Sequence, residues 1–393
     1  MLHLPLKMNK NCFLLGYKAR ENIVGFVAFS EYNECFMNDK PLPKERSIPI
    51  KYRDFYFKEE YTSASDTYLL GICQKADIPP ITKEQIGYVE EVTRGQASSL
   101  DWHNQRNGRI TGSVAHAFLR TDPNHPAQSL IYKACSTSTV QINTAAISWG
   151  KEHENDAYVL YESINDSRFQ VDNKISGHIL PLSRGVHTNF HVRKCGFMIS
   201  DELPFLGASP DGLCCCDCCG QGVLEIKCPY KFRNIDFDNA AKDPYCCITA
   251  DYKLKVNHSY YTQCQFQMFV ANASYCDFVF WTPVDVVVTR ISIDNDFVST
   301  MKSRLEAVWR GGILPELLSR KMELLSNEKE NTDSNIKNLT TYCICKTETE
   351  SEDMVACDKC DQWFHISCIG LKRVPRTATW FCKDCRKLRK STQ

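Results

Sequence analysis

Two carboxylates and a lysine near the middle of the chain have the types and spacing of a metal-dependent hydrolytic site. Glu225 and Lys227 lie at the end of the apolar run 223–226, which predicts a buried strand, and side chains two apart on a strand share a face. Glycines between Asp211 and Glu225 are turn signals, so a hairpin would bring Asp211 back beside Glu225. Hard oxygen ligands of this kind suit a divalent cation, and the ammonium would meet a developing negative charge.

The segment 106–113 contains groups that could bind a phosphate. After a turn, Thr111 can cap a helix, and a helix start offers free backbone N–H groups at the positive end of the dipole. Arg106, Arg109 and Ser113 surround that start. Taken alone, the segment favours ordinary capping with solvated arginines, whereas the motifs downstream favour phosphate binding.

Four ordered motifs in the chain resemble the YqaJ/phage lambda exonuclease branch of the PD-(D/E)xK nucleases. The resemblance covers roughly residues 95–310. The motifs are Arg106-Asn-Gly-Arg-Ile-Thr-Gly-Ser113, Trp149-Gly-Lys-Glu-His-Glu-Asn-Asp-Ala157, Gly207-Ala-Ser-Pro-Asp-Gly-Leu213 with Leu224-Glu-Ile-Lys-Cys-Pro-Tyr230, and Tyr260-Tyr-Thr-Gln-Cys-Gln-Phe-Gln-Met-Phe269. The resemblance implies a restriction-endonuclease-like α/β core with a mixed sheet flanked by helices.

The resemblance also implies a ligand set for Mg²⁺ or Mn²⁺. Asp211, Glu225 and the carbonyl of Ile226 would bind the cation, and an acidic residue from a preceding helix would complete the set. Glu152 and Glu154 cannot share a helix face, being two apart. Glu154 is followed by Asn-Asp-Ala, which matches the acidic position of the family, so we assign this role to Glu154.

Two further roles follow from the same resemblance. Lys227 would orient the attacking water or neutralise the transition state, and Gln263 would position Lys227 or the nucleophile. Gln265 and Gln267 are not expected to reach the site.

Family members degrade duplex DNA from its ends and bind a terminal 5′ phosphate. The resemblance implies that four residues would hold such a phosphate. In this chain they are Arg106, Ser113, Ser209 and Arg233. The implied activity is a 5′-to-3′ exonuclease.

A cysteine-rich insertion at 214–219 departs from the family pattern. The spacing of Cys215 and Cys218 allows metal binding, but four ligands within one short loop would have poor tetrahedral geometry. We therefore expect an exposed, thiol-rich hairpin tip. Because this hairpin joins two catalytic positions, its length affects their alignment.

Composition limits the class of protein. The 393 residues suffice for two or three domains, and a hydrophobic content of 43% with 24% charged residues predicts a packed core. With a net charge of zero, contacts to nucleic acid must come from local basic patches. We expect neither a membrane span nor a signal peptide, so the 22 cysteines predict reduced thiols and metal ligands rather than a disulfide framework.

Residues outside the motifs predict further elements and the domain limits. Strands are expected at 54–57, 276–281 and 284–293, and helices at 252–271 and 294–325. The predicted domains are an N-terminal extension of unclear role (1–90), the nuclease domain (91–325), a polar linker (326–341), a zinc finger (342–387) and a basic tail (388–393).

The last domain contains the most specific pattern in the chain. Its eight ligands suit two tetrahedral zinc ions and are Cys343, Cys345, Cys357, Cys360, His365, Cys368, Cys382 and Cys385. The order of four Cys, one His and three Cys resembles a PHD finger rather than a RING. In PHD fingers the ligands interleave, so that pairs one and three hold one zinc and pairs two and four the other. Zinc binding supplies about 10 kcal/mol per site, which a domain this small needs in order to fold.

Three residues around the zinc ligands resemble a methyl-lysine cage. Tyr342, Met354 and Trp363 occupy the positions that form this cage in PHD fingers that bind trimethyl-lysine. A quaternary ammonium would be held by the ring faces through cation–π attraction. The implied partner is a histone H3 tail.

We therefore predict a nuclear, metal-dependent nuclease that acts on duplex DNA ends and is directed to chromatin by its PHD finger. Two alternatives stay open. One is a catalytically inactive chromatin-binding protein, and the other is an endonuclease of a mobile element or of viral recombination.

Overall fold

The protein is described by a computed structural model over residues 49–136, 145–165, 187–325, 354–357, 363–371, 380–383 and 386. Predicted features outside these ranges are the linker 326–341, the tail 388–393, and Tyr342, Cys343, Cys345, Cys360 and Cys385. Within the described ranges, no helix is both long and apolar enough to cross a membrane.

A mixed sheet forms the centre of the nuclease region. The strands are β1 (Ile110–Thr111), β2 (His191–Arg193), β3 (Met198–Ile199), β4 (Leu206–Ala208), β5 (Gly212–Cys216), β6 (Gly220–Lys227), β7 (Tyr275–Trp281) and β8 (Val286–Ser292). Five of them form a sheet in the order β2-β5-β6-β7-β8, in which β6 and β7 are parallel and the other pairs antiparallel. A smaller sheet has the order β1-β4-β3.

Helices cover both faces of the larger sheet. The described helices include α1 (Tyr52–Tyr56), α2 (Asp66–Lys75), α3 (Lys83–Val92), α4 (Leu100–Arg106), α5 (Gly112–Arg120), α6 (Gln128–Cys135), α7 (Ala145–Asn165), α8 (Phe237–Ala240), α9 (Ser259–Ala271), α10 (Asn295–Val308) and α11 (Leu314–Ser319). Tyr158 and Tyr161 of α7 pack with Leu224 and Ile226 on one face of β6. Glu225 lies on the opposite face, where α9 contacts it. The predicted mixed α/β architecture is confirmed.

Trp309 lies at the centre of the main core. Its ring is fully buried, stacks on Phe205 at 4.8 Å between centroids, and donates from Nε1 to the carbonyl of Gly108 at 2.9 Å. Gly108 has a φ of +79° and a Cβ there would meet Leu317 at 2.8 Å, so glycine is required. Tyr52 of α1 belongs to the same core, so part of the predicted N-terminal extension helps to build the nuclease region.

Most predicted elements of the nuclease region are present. Ser99 caps α4 by accepting from the N–H of Trp102, and the two strands expected at 276–281 and 284–293 are β7 and β8. The helix expected at 252–271 begins only at Ser259. The strand expected at 54–57 is wrong, because that segment belongs to the helix α1, whose tyrosines pack into the core.

The zinc-finger region contains a two-stranded antiparallel ribbon of β9 (Met354–Ala356) and β10 (Trp363–His365). Phe364 packs with Cys357 and Cys382, and its ring contacts that of Trp380 at 5.8 Å. Trp380 is partly buried against this small cluster.

Candidate functional site

The hairpin of β5 and β6 brings Asp211 beside the end of β6. Gly212 pairs with Leu224, and the N–H of Asp211 donates to the carbonyl of Leu224 at 3.0 Å. The N–H of Ile226 donates to Oδ2 of Asp211 at 2.6 Å. The carboxylate is thus fixed next to the backbone of Ile226, and the predicted convergence of Asp211 with Glu225 is present.

Glu225 is the centre of the hydrogen-bond network. Its side chain is only 2% exposed, and Oε1 accepts from the ammonium of Lys227 and, at 2.6 Å, from Nε2 of Gln263. Oε2 accepts from Nε2 of Gln267 at 2.6 Å. Lys227 and Gln263 therefore converge on the same carboxylate oxygen of Glu225.

The prediction that Gln267 does not reach the site is wrong. Gln263 and Gln267 are four residues apart on α9, so they share a helix face and both reach Glu225. Gln265 lies elsewhere, donating to the carbonyl of Ser292 and accepting from the N–H of Asp294, as expected for a residue outside the site.

Converging carboxylates dominate the electrostatics of the site. Burial and the nearby Glu225 raise the pKa of Asp211 well above its ordinary value. Although burial opposes the charged form of Lys227, Glu225 and Asp211 outweigh this and raise the pKa of Lys227, so the ammonium stays protonated. The ammonium also lies 5.1 Å from the ring centroid of Tyr260.

Glu154 faces the same group of charges. Partial burial raises its pKa, Lys227 lowers it and Glu225 raises it further, which places Glu154 within electrostatic reach of both. The side chain remains exposed to solvent at the edge of the cluster. Of the two glutamates considered from the sequence, Glu154 is thus the one that the fold turns toward Lys227 and Glu225.

The donor set fits a divalent cation. Asp211, Glu225 and Glu154 all interact electrostatically with the ammonium of Lys227, and repulsion from Glu225 and Glu154 adds to burial in raising the pKa of Asp211. A hard cation would relieve that repulsion, and carboxylate oxygens beside a backbone carbonyl are the ligands that Mg²⁺ and Mn²⁺ accept.

Arg106 forms a second polar feature. Its guanidinium lies 3.9 Å above the ring of Trp102 and 5.9 Å from that of Phe197, and burial lowers its pKa to about 10. Nε1 of Trp102 donates to Oγ of Ser209 at 2.8 Å, so one indole joins Arg106 to Ser209. Among the described residues, no carboxylate forms an ion pair with Arg106, which leaves its charge available to an anion.

The start of α5 contributes Ser113. Ser113 is exposed in the first turn, and Thr111 occupies the N-cap position without a side-chain capping bond. A Cβ at Gly112 would lie 3.6 Å from Gln267 and 3.7 Å from Gln263, so this helix start adjoins the glutamine face of α9.

The other two arginines considered from the sequence have different surroundings. Arg109 is buried and donates to the carbonyls of Pro204 and Gln105, which makes it structural rather than phosphate-binding. Arg233 stacks over the ring of Tyr230 at 3.7 Å and donates to the carbonyl of Tyr230 at 2.7 Å. It is thereby held in the loop that follows β6.

Described zinc-finger ligands lie near the partners that the PHD pattern implies. The N–H of Cys382 donates to Sγ of Cys357 at 3.2 Å, which brings together members of pairs two and four. Sγ of Cys368 lies 3.9 Å from Nδ1 of His365 within pair three. Met354 and Trp363 lie on the paired strands β9 and β10, opposite His365 and Ala356 respectively.

Two residues of the site carried no assignment from the sequence. Trp102 orients Arg106 and Ser209, and Tyr260 lies beneath Lys227. Trp102 could have been identified from the sequence, because it lies four residues before Arg106 on one helix and therefore shares a helix face with it. Only the fold, which places α9 over β6, reveals the second.

Two family models match this chain. Residues 101–274 match the YqaJ-like viral recombinase domain, and residues 343–385 match the PHD finger. The chain therefore contains a YqaJ-like viral recombinase domain and a C-terminal PHD finger, as the resemblances predicted. This combination fits a nuclease with chromatin targeting.

Several curated relatives share a short stretch with this chain. The chain is 46% identical over 57 residues to PHD finger protein ING1 of Arabidopsis thaliana, covering 14% of this chain and 24% of the relative. It is 45% identical over 49 residues to the transcriptional regulatory protein PHO23 of Saccharomyces cerevisiae, covering 12% and 14%. The chain thus spans less than a third of the length of these relatives.

Solved structures with partial likeness include an alkaline exonuclease (LHK-Exo) from Laribacter hongkongensis. The two sequences are 21% identical, and the match covers 60% of this chain and all of the exonuclease chain, with a TM-score of 0.39. A SOX-DNA complex is 12% identical, covers 67% of this chain and 76% of its own, and also has a TM-score of 0.39.

Proposed function

We propose that this chain is a Mg²⁺- or Mn²⁺-dependent deoxyribonuclease that degrades duplex DNA from 5′-phosphorylated ends. The proposal assigns catalysis to the nuclease domain at 91–325 and targeting to the PHD finger at 342–387. The observation that carries it is the convergence of Asp211, Glu225 and Lys227 at one end of the β5–β6 hairpin.

The chemistry follows from the charges and hydrogen bonds of the site. A bound divalent cation supplies Lewis-acid stabilisation of the phosphoryl oxygens and lowers the pKa of a coordinated water. Lys227 keeps its proton and presents a positive charge where negative charge grows in the transition state. Gln263 and Gln267 hold both oxygens of Glu225, which fixes the orientation of that carboxylate.

Selection of a chain end would depend on Arg106. A half-buried arginine stacked on an indole presents a planar, pre-oriented fork that suits the two charges of a terminal phosphate. Ser209, joined to the same indole, and Ser113 at the start of α5 supply hydroxyl donors. Arg233 would add a fourth contact from the loop after β6.

Targeting is assigned to the PHD finger. Its eight ligands would hold two zinc ions. Tyr342, Met354 and Trp363 would form a cage for a trimethyl-lysine of a histone H3 tail. The match to PHD finger proteins and to a transcriptional regulator supports a chromatin partner and a nuclear location.

Digestion of end-labelled duplexes tests the proposal. Linear DNA with a 5′ phosphate, linear DNA with a 5′ hydroxyl and closed circular DNA are incubated with the full chain in Mg²⁺. We expect degradation of the phosphorylated duplex at least about ten-fold faster than the hydroxyl form, because a phosphate contact with a charged donor contributes about 1.5–3 kcal/mol, and no cleavage of the circle.

Other outcomes would identify the alternatives. Equal cleavage of linear and circular DNA would indicate an endonuclease and would contradict the proposed pocket for a terminal 5′ phosphate. DNA binding without cleavage in Mg²⁺ or Mn²⁺ would indicate a catalytically inactive chromatin-binding protein.

A further inference from the structure

The tip of the β5–β6 hairpin gathers three cysteines and one histidine. These residues are His187, Cys216, Cys218 and Cys219, and one ligand atom from each lies within 4.8 Å of all the others. The three cysteines are free thiols. The histidine comes from the segment before β2, so the fourth donor lies outside the six-residue insertion that seemed too short to enclose a metal.

The distances match the edges of a zinc tetrahedron. Zn–S bonds of about 2.3 Å and Zn–N bonds of about 2.0 Å place two sulfurs about 3.8 Å apart and a sulfur and a nitrogen about 3.5 Å apart. The sulfur of Cys218 lies 3.4 Å from that of Cys216 and 3.7 Å from that of Cys219. Nδ1 of His187 lies 3.4 Å from Cys216, 3.1 Å from Cys218 and 3.5 Å from Cys219.

We propose that His187, Cys216, Cys218 and Cys219 form a structural zinc site in the nuclease domain, separate from the two zinc sites of the PHD finger. Three thiolates and one imidazole in tetrahedral arrangement select zinc over Mg²⁺ or Mn²⁺, which take oxygen ligands. All four positions of the tetrahedron are filled by protein, so the site is closed and leaves no position for water or substrate.

Groups around the cluster suit its charge. Zn²⁺ with three thiolates has a net charge of −1, and Nη1 of Arg290 donates to the sulfur of Cys219 at 3.1 Å. Arg290 is itself oriented by Asp277, a fully buried carboxylate that accepts from Nε of Arg290 at 2.8 Å. A hydrogen bond from a charged donor to a ligand sulfur is the kind of outer contact that stabilises a thiolate site.

Two hydrogen bonds, one between backbone groups and one between side chains, already align the two segments that zinc would join. The N–H of Asp217 donates to the carbonyl of Thr188 at 3.1 Å, and Nδ2 of Asn189 donates to Oδ2 of Asp217 at 2.8 Å. These bonds hold His187 over the turn at 216–219.

The site would fix the register of the hairpin. The ladder runs from Gly212 opposite Leu224 to Cys216 opposite Gly220, four steps of about 3.3 Å, so the tip lies about 13 Å from the carboxylates. A slip of one residue would turn Glu225 to the opposite face of the sheet. Zinc at the tip would oppose that slip without contacting substrate.

Zinc content of the purified full chain, measured by elemental analysis after expression with zinc, tests this proposal. We expect three zinc ions per chain in the wild type and in the control Cys135→Ser, whose thiol lies on α6 outside the cluster. Cys218→Ser and Cys219→Ser should each contain two. Two zinc ions in the wild type, or three in both cluster variants, would overturn the proposal.

A second variant keeps the test decisive if the cluster variants fail to fold. Cys360→Ala removes a PHD ligand and should dismantle that finger, which leaves one zinc ion in the full chain. X-ray absorption of this variant should then show three sulfurs at about 2.3 Å and one nitrogen at about 2.0 Å. A folded nuclease domain without zinc, or zinc bound by oxygen ligands, would refute the site.

Discussion

The two ends of the β5–β6 hairpin carry opposite kinds of donor. At one end Asp211 and Glu225 present carboxylate oxygens beside Lys227. At the other, Cys216, Cys218 and Cys219 present sulfurs beside the imidazole of His187, which lies on a neighbouring segment. Hard oxygen donors suit a cation that exchanges water and binds phosphate, whereas sulfur and imidazole suit a cation that stays bound.

On the proposed function and the proposed zinc site, this hairpin would keep catalysis at one end and structural stabilisation at the other. An oxygen site works only if its ligands keep an open position and a charge balance that substrate can complete. A closed sulfur site contributes folding energy and leaves chemistry to the other end. The comparison predicts that substitutions at the two ends have different consequences.

The largest effect is expected at the oxygen end. Glu225→Ala and Lys227→Ala should each reduce Mg²⁺-dependent cleavage at least about a hundred-fold. The first removes a proposed ligand of the cation, and the second removes the positive charge that would meet the developing negative charge. Single-turnover rates, with circular dichroism to confirm folding, measure this. The matched control is Glu152→Ala, on the same helix as Glu154. A fall in cleavage with Cys218→Ser as large as with Lys227→Ala would erase the distinction between the ends.

The second prediction concerns substrate choice at the oxygen end. Arg106→Ala should lower the preference for a 5′-phosphorylated over a 5′-hydroxyl duplex by about 10- to 100-fold, since a hydrogen bond to a charged group contributes about 1.5–3 kcal/mol. Competition between the two labelled duplexes gives the ratio directly. Arg120→Ala, an exposed arginine at the end of α5, serves as control. An unchanged ratio would remove Arg106 from the pocket.

A third prediction separates the glutamines of α9. Gln267→Ala and Gln263→Ala should each slow cleavage by about ten-fold, because each removes a hydrogen bond that orients the carboxylate of Glu225. Gln267→Ala leaves Oε2 without its donor, and Gln263→Ala leaves Oε1 with the ammonium of Lys227. Gln265→Ala should lower thermal stability instead, since its partners are Ser292 and Asp294. Rates and melting temperatures of the three variants decide the matter. If Gln265→Ala slowed cleavage as much as Gln267→Ala, a general loss of packing would explain both.

The smallest effect is expected in the PHD finger, where zinc bound mainly by sulfur would stabilise a domain that recognises a peptide. The full chain should bind a histone H3 N-terminal peptide several-fold to tens-fold more tightly when an early lysine is trimethylated, because an aromatic contact contributes about 0.5–2 kcal/mol. Trp363→Ala should erase this preference without releasing zinc. Calorimetric titration compares both peptides. If the wild type bound both peptides with equal affinity, the proposed cage residues would have a packing role instead.

Sequence reasoning found the oxygen end because its residues lie in short contiguous motifs. Asp211, Glu225 and Lys227 follow from strand alternation and a turn, which are local properties. It missed Gln267 by judging residues one at a time rather than by helix face. It also missed His187, which no local pattern connects to the cysteines, and the packing of α1, where burial against Trp309 overrode the apparent strand pattern of 54–57.

Single-turnover hydrolysis of a 5′-phosphorylated duplex by Asp211→Asn tests the central claim most directly. Asparagine keeps the size of the side chain and an oxygen that can accept from the N–H of Ile226, but it removes the charge that a divalent cation requires. We predict that this variant folds, retains its zinc and cleaves at least about a hundred-fold more slowly than wild type at saturating Mg²⁺. Cleavage within about three-fold of wild type would contradict a metal-dependent mechanism at this end of the hairpin.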